Sequence, residues 1–153
     1  MELKVGDKAP DWVGKDEEGK KISLAQFKGK KLVLYFYPKD NTPTCTVQAC
    51  NLRDERQVLK DNGYEVVGVS ADGERKHQNF INKFELNFPL VADTEKELIK
   101  AYGVWGWKKF MGREYEGIIR TTFVIDEQGM IEKIINKVKA KQHSEQILES
   151  EEA

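Results

Sequence analysis

Cysteine, histidine and proline are scarce: the 153 residues contain two, two and four of them. Two cysteines are too few for the disulfide framework of a small secreted scaffold, so a bond between them would be chemistry rather than architecture. A chain of this length buries about two-thirds of the surface its unfolded form exposes and needs no covalent staple. Long apolar runs are also missing. The start, MELKVGDKAPDW, carries no uninterrupted apolar stretch, and no later segment is long enough to cross a bilayer. These absences set the expectation of a soluble cytoplasmic protein without a membrane partner. Neither sign of charge dominates: 25 Lys and Arg stand against 26 Asp and Glu, a formal net charge of -1. Basic residues spread from Lys4 to Lys141, so the electrostatic footprint of a nucleic-acid binder is lacking.

No internal repeat, low-complexity block or shift in composition divides the chain. One domain over residues 1–153 is expected, with a frayed acidic tail from about residue 149. VGKDEEGKKISL reads as a hairpin, with Ser23 placed to cap a short helix over LAQF. KLVLYFY, residues 31–37, is a continuous apolar run ended by a proline, which suits a strand buried on both faces. Thr42 followed by Pro43 is a cap residue followed by the residue favoured at the first helical position. A helix is therefore predicted from Pro43 to Lys60, with Val47, Leu52, Val58 and Leu59 inward, ending at Asn62-Gly63. YEVVGVSA is a strand, ERKHQNFINKFEL a helix with Phe80, Ile81 and Phe84 inward, and FPLVAD a short strand. TEKELIKAYG is a helix capped by Thr94, TTFVIDEQGMIEKIINKV a hairpin through Asp126 to Gly129, and HSEQILES a last helix. Crossovers combined with a final hairpin predict an α/β sandwich around a central mixed sheet.

Both cysteines lie in PKDNTPTCTVQAC, residues 38–50. With Thr42 as cap, Cys45 falls in the first helical turn, where unpaired N–H groups and the helix dipole favour negative charge. A free thiol near pKa 8.5 is only a few per cent ionised at neutral pH, whereas a fall of about two units makes the thiolate the majority form. Such a nucleophile needs no histidine base. Strand end and helix start together also place it at the mouth of the sheet, where open α/β folds bind ligands. Cys50 lies five residues on, so in an ideal helix the two Cα atoms stand about 8–9 Å apart, beyond the disulfide limit of about 7 Å. Reaction between them therefore requires local unwinding, which couples redox state to an order–disorder transition. Oxidation of the activated Cys45 to a sulfenic acid by a peroxide, followed by condensation with Cys50, would give both thiols a purpose.

The pattern P-x-x-x-T-x-x-C, filled by Pro38, Thr42 and Cys45, resembles that of the peroxiredoxins. The adjoining CTVQAC, with a second cysteine in the same helix, is similar to their bacterioferritin-comigratory or Q-type group. Further likeness runs through VGDKAPDW, YGVWG at 102–106, FMGREYEGIIRTTFVID at 110–126 and the final hairpin, nearly the whole chain. The resemblance implies a thioredoxin-like fold with an N-terminal extension. It implies reduction of hydrogen peroxide and organic hydroperoxides, with electrons from thioredoxin or a similar dithiol, in a monomer without cofactor or metal. By the same likeness Cys45 is the peroxidatic cysteine, Cys50 the resolving one in an intramolecular disulfide, and Thr42 and Arg120 hold the peroxide and stabilise the thiolate. Pro38, with Tyr37 before it, walls the site. Peroxide cleavage builds negative charge on the departing oxygen, and the Cys45 N–H, the Thr42 hydroxyl and the Arg120 guanidinium are suitable donors for it. Trp107 departs from the group's pattern, where a polar or charged residue is expected, and bears on the rim of the site.

Other readings compete. The spacing alone also fits two inert core thiols, and Arg120 alone would read as a surface arginine. His77 and His143, in charge-rich helical surroundings, read as exposed ordinary side chains. A zinc site is disfavoured because two cysteines on one rigid helix lack the short-loop geometry of structural zinc. Trp105 and Trp107 fit an entrance or packing equally well. A thioredoxin-like disulfide reductase would want its cysteines within one turn, and a redox-switched holdase could use the same unwinding as a second activity.

Overall fold

The computed structural model describes residues 3–149. Its N-terminal arm pairs β1 (Val13–Lys15) with β2 (Lys21–Ser23) antiparallel. Ser23 then leads into a 3-10 turn over Leu24–Phe27, where the Gln26 side chain accepts the Ser23 N–H at 3.1 Å. The apolar run forms β3 (Lys31–Phe36), followed by α1 (Pro43–Asp54), α2 (Arg56–Asp61), β4 (Tyr64–Ser70), α3 (Glu74–Phe84), β5 (Leu90–Ala92) and α4 (Glu97–Ala101). A hairpin of β6 (Trp105–Phe110) and β7 (Arg113–Ile118) precedes β8 (Thr121–Ile125), β9 (Ile131–Ile135) and α5 (His143–Leu148). Five strands form one sheet in the order β5-β4-β3-β8-β9. β3, β4 and β5 run parallel, while β8 is antiparallel to both β3 and β9, so the sheet is mixed as expected.

Period-two alternation along β3 divides the core. Leu32, Leu34 and Phe36 face a layer with Trp12, Ile22, Leu98, Ile99 and Phe123. Val33 and Tyr35, with Tyr37 just beyond the strand, face the opposite layer with Cys45, Leu52, Leu59, Phe80 and Ile147. Each such fully buried side chain contributes about 1.5–3 kcal/mol relative to exposure. Gly68 of β4 is required here: a Cβ would stand 2.7 Å from Leu90 and 2.9 Å from the Tyr35 ring. α1 thus lies on a densely filled face of the sheet. No helix among the described residues is long and apolar enough to cross a membrane.

Several expectations need correction. The helix predicted from Pro43 to Lys60 is interrupted at Glu55 (φ -97°, ψ 10°), where neither Gly nor Pro marks the break. Val47 and Val58 point outward, 37% and 44% exposed. The inward stripe of α1 is Cys45, Gln48, Ala49 and Leu52, at the i, i+3, i+4, i+7 spacing that one helical face demands. Thr94 does not cap α4. Its start is Lys96 in the left-handed region (φ 61°), and the buried Asp93 carboxylate accepts the N–H groups of Leu98 and Ile99 at 3.3 and 2.8 Å. The β6–β7 hairpin was not expected as strands. Of the acidic tail, residues 150–153 lie outside the described residues, and the Glu149 N–H still bonds to the Glu145 carbonyl at 2.9 Å.

Both histidines are fully buried rather than exposed. His77 shares the inward face of α3 with Phe80, and its two ring nitrogens meet Asp40 and the Val91 carbonyl. His143 meets the Thr122 hydroxyl through Nε2 and the Gln146 amide oxygen through Nδ1. Charge-rich neighbours conceal this burial in the sequence, because α3 and α5 are amphipathic and the histidines occupy their covered sides.

Candidate active site

After β3 the chain turns sharply. Pro38 has no N–H to extend the ladder, Asn41 adopts a left-handed conformation (φ 62°), and Thr42 is extended (φ -91°, ψ 157°) before Pro43 opens α1. The first intrahelical bond runs from the Thr46 N–H to the Thr42 carbonyl at 2.9 Å. The Cys45 N–H precedes it and has no intrahelical acceptor, as the geometry of a helix start requires. Cys45 is 1% exposed and sits at this electropositive end, on the inward stripe.

Arg120, at the entrance to β8, reaches this sulfur. Its NH2 donates to Cys45 Sγ at 3.2 Å and its NH1 to Gln48 Oε1 at 2.5 Å. A cation and the helix N-terminus thus converge on one sulfur. Gln48 went unnoticed in the sequence, although i+3 spacing from Cys45 places it on the same face. It is fully buried and fixes the guanidinium one turn beyond the sulfur.

Thr42 occupies the cap position, but its hydroxyl donates to the Lys39 carbonyl at 3.0 Å and caps no helix N–H. That bond folds the turn 38–42 on itself and leaves the oxygen lone pairs as acceptors. Pro38 is half-buried in the same turn. Tyr37 lies behind it, 1% exposed, stacked on Tyr35 at 5.3 Å between centroids, with its hydroxyl 2.5 Å from Asp40 Oδ1. Burial, followed by the charge on Cys45, pushes the Tyr35 phenol well above its usual range, so it stays protonated beneath the site.

Cys50 is half-buried, free and on the same uninterrupted helix as Cys45. Lys108 of β6 is a further group the sequence reading did not single out. Its ammonium donates to the Ile118 carbonyl at 2.9 Å, and burial followed by the Arg120 charge lowers its pKa while Cys45 opposes the shift. Trp107, beside it, is 71% exposed, whereas Trp105 is partly buried against the core with Lys96 over its ring at 5.1 Å. The sequence left both tryptophans open; only Trp105 packs.

A thioredoxin-like sheet presenting one cysteine at a helix start, with an arginine on its sulfur, defines a thiol-based redox enzyme. Comparison with known proteins narrows the class. Residues 5–134 match the model of the AhpC/TSA family. A putative peroxiredoxin bcp of Haemophilus influenzae is 46% identical over 147 residues, covering 96% of this chain and 95% of that protein. Among solved structures, a cysteine-to-serine mutant of Xylella fastidiosa PrxQ superposes with a TM-score of 0.90 at 30% identity, over 97% of this chain and 94% of that one. The Xanthomonas campestris bacterioferritin comigratory protein gives 0.86 at 31% identity over 95% of each chain. The chain belongs to the AhpC/TSA family and, within it, to the peroxiredoxins of the Bcp and PrxQ kind.

Proposed function

We propose that Cys45 is the peroxidatic cysteine and Cys50 the resolving cysteine of a thiol-dependent peroxidase acting on hydrogen peroxide and organic hydroperoxides. The alkyl peroxide reduction activity named for the Xanthomonas relative supports the substrate class. The Cys45 sulfur attacks the outer peroxide oxygen, and the S–O bond forms as O–O breaks. The leaving oxygen departs as alkoxide or hydroxide and takes up a proton. Arg120, which donates to the sulfur, and the Cys45 N–H supply donors for the developing oxyanion and lower its barrier, while the Thr42 oxygen, its proton engaged by Lys39, serves as an acceptor for the peroxide O–H. Cys50 then attacks the sulfenic sulfur, the S–S bond forms and hydroxide leaves. Because α1 holds both cysteines in one helix, this step includes local unwinding of that helix. A thioredoxin-type dithiol reduces the disulfide by thiol exchange and is itself oxidised. The working unit is a cytoplasmic, single-domain monomer.

The observation that carries this reading is the 3.2 Å bond from Arg120 to Cys45 Sγ at the start of a helix that also contains a free Cys50. Peroxide consumption with thioredoxin tests it in wild type, Cys45→Ser and Cys50→Ser. Cys45→Ser is expected to abolish turnover. Cys50→Ser should consume about one peroxide per thiol and then stall unless an external thiol resolves it. Full turnover by Cys45→Ser overturns the assignment.

A further inference from the structure

Behind the turn 38–42 lies a buried polar cluster that the reaction as described does not use. Asp40 Oδ1 accepts the Tyr37 hydroxyl at 2.5 Å, and Asp40 Oδ2 stands 2.6 Å from His77 Nδ1. His77 Nε2 lies 2.9 Å from the Val91 carbonyl, which can only accept, so Nε2 carries a proton. A bare Nδ1 against a bare carboxylate oxygen at 2.6 Å would set two lone pairs against each other, so a second proton lies between them. The pair therefore holds one proton more than a neutral imidazole beside a carboxylate. The charges of an imidazolium and a carboxylate cancel there, which is how buried ionisable groups are accommodated. Burial, followed by the nearby Tyr35 and Asp40 groups, pushes the Tyr37 phenol well above its usual range, so it remains a donor to Asp40.

The main chain of Asp40 is held as well. Its N–H donates to Asp72 Oδ2 at 2.7 Å, an oxygen that also accepts the Ser70 hydroxyl at 2.8 Å. Residue 40 is thus tied to the end of β4, to α3 and, through His77, to β5, with Asn41 in its left-handed conformation and Thr42 directly after it. A non-glycine residue with positive φ persists where its surroundings over-determine it.

We propose that Asp40, His77 and Tyr37 are positioning residues of the peroxidase: a proton-sharing carboxylate–imidazole pair beneath the turn holds Thr42 and the first turn of α1 in the geometry that receives the peroxide. The proposal rests on Cys45 as the attacking sulfur. It extends that reading to groups that touch neither sulfur nor substrate. The function of the cluster is geometric, so an arrangement that keeps its hydrogen bonds without the extra proton should serve. Asp40→Asn provides one: its amide N–H can donate to a neutral His77 Nδ1 while its carbonyl oxygen accepts the Tyr37 hydroxyl.

The test measures three quantities in wild type, His77→Ala, Asp40→Ala, Asp40→Asn and Tyr37→Phe. They are the rate of Cys45 with hydrogen peroxide, the rate of Cys45 alkylation by iodoacetamide, and the proton NMR signal of the short His77–Asp40 bond. His77→Ala and Asp40→Ala should slow the peroxide reaction at least about tenfold, because small misplacements at a reacting centre have large effects. Their alkylation should stay within about threefold, since that reaction makes no use of Thr42. Asp40→Asn should recover to within about threefold of wild type, with Tyr37→Phe between. A downfield proton resonance is expected in wild type and should be lost in both alanine variants. Unchanged peroxide rates in the alanine variants overturn the proposal, as does an Asp40→Asn rate as low as that of a folded Asp40→Ala. Absence of the downfield resonance overturns the shared proton. If the alanine variants do not fold, Asp40→Asn and Tyr37→Phe carry the comparison. Were wild type to consume no peroxide, the functional reading would fail, while the resonance would still decide the state of the pair.

Discussion

At the front of α1, the turn leading into the helix is held by the buried side chains of Tyr37, Asp40 and His77, and its backbone by Asp72. Toward the rear, after Cys50, the helix is held by Asn51 and by Arg53, whose guanidinium donates to the Phe84 carbonyl at 2.6 Å and whose carbonyl accepts from Asn87 at 3.2 Å. Asn51 donates from Nδ2 to the Lys141 carbonyl at 3.0 Å, and its Oδ1 accepts the Ser144 N–H at 2.8 Å. The Asp40 side-chain contacts at the front are short, charged and buried, so breaking them strands buried groups. The Asn51 contacts beside Cys50 are neutral and closer to solvent, each worth about 1 kcal/mol net. Peroxide attack needs fixed geometry, whereas disulfide formation needs movement, and the two ends of the helix are built for these different demands.

Arg120→Ala breaks the front most severely, since a cation and an oxyanion donor vanish together and Gln48 loses its partner. The peroxide rate should fall about 100-fold or more. Stopped-flow rates check this, and a rate matching wild type would contradict the role of Arg120.

Acid should weaken the rear through His143. Burial, partly opposed by the Gln146 hydrogen bond, lowers its pKa from 6.5 to about 4. Between those values the unfolded chain binds a proton that the folded chain refuses, so this contribution to stability is intact above pH 6.5. It is lost as pH falls toward about 4, by about 3 kcal/mol. Urea midpoints at about pH 7 and about pH 4.5 should therefore diverge in wild type and converge in His143→Asn. Equal pH dependence in the two proteins would remove His143 from the account.

The smallest effect is expected from Asn51→Ala. Releasing α1 from the segment around Lys141 and Ser144 should speed formation of the Cys45–Cys50 disulfide by roughly fivefold, the equivalent of about 1 kcal/mol. The first oxidation of Cys45 should keep its rate. Rapid-quench mass spectrometry separates the two steps, and slower disulfide formation would reverse the assignment of flexibility to the rear.

Much of this was legible in the sequence because local chemistry and global fold agree there. The apolar run of β3, the Thr42-Pro43 start of α1, the hairpin through Asp126 to Gly129 and the placement of Cys45 in the first turn of α1 follow from patterns within a few residues. Arg120 became readable only through family likeness, because 75 positions separate it from Cys45 and no local signal joins them. Gln48 was missed because a polar residue on a helix reads as outward, and Val47 was misplaced for the converse reason. His77 and Asp40, 37 positions apart, meet only once α3 is folded across the sheet. Their burial depends on tertiary packing that a charge-rich helical segment conceals. Exposed Trp107 remains without a structural explanation.

The most direct test of the central claim is to expose reduced Cys50→Ser to one equivalent of hydrogen peroxide, trap with a sulfenic-acid reagent and locate the adduct by peptide mass spectrometry. The account predicts the adduct on Cys45, at a rate that falls when Arg120 is removed. Peroxide consumed with Cys45 left as an unmodified thiol would contradict it.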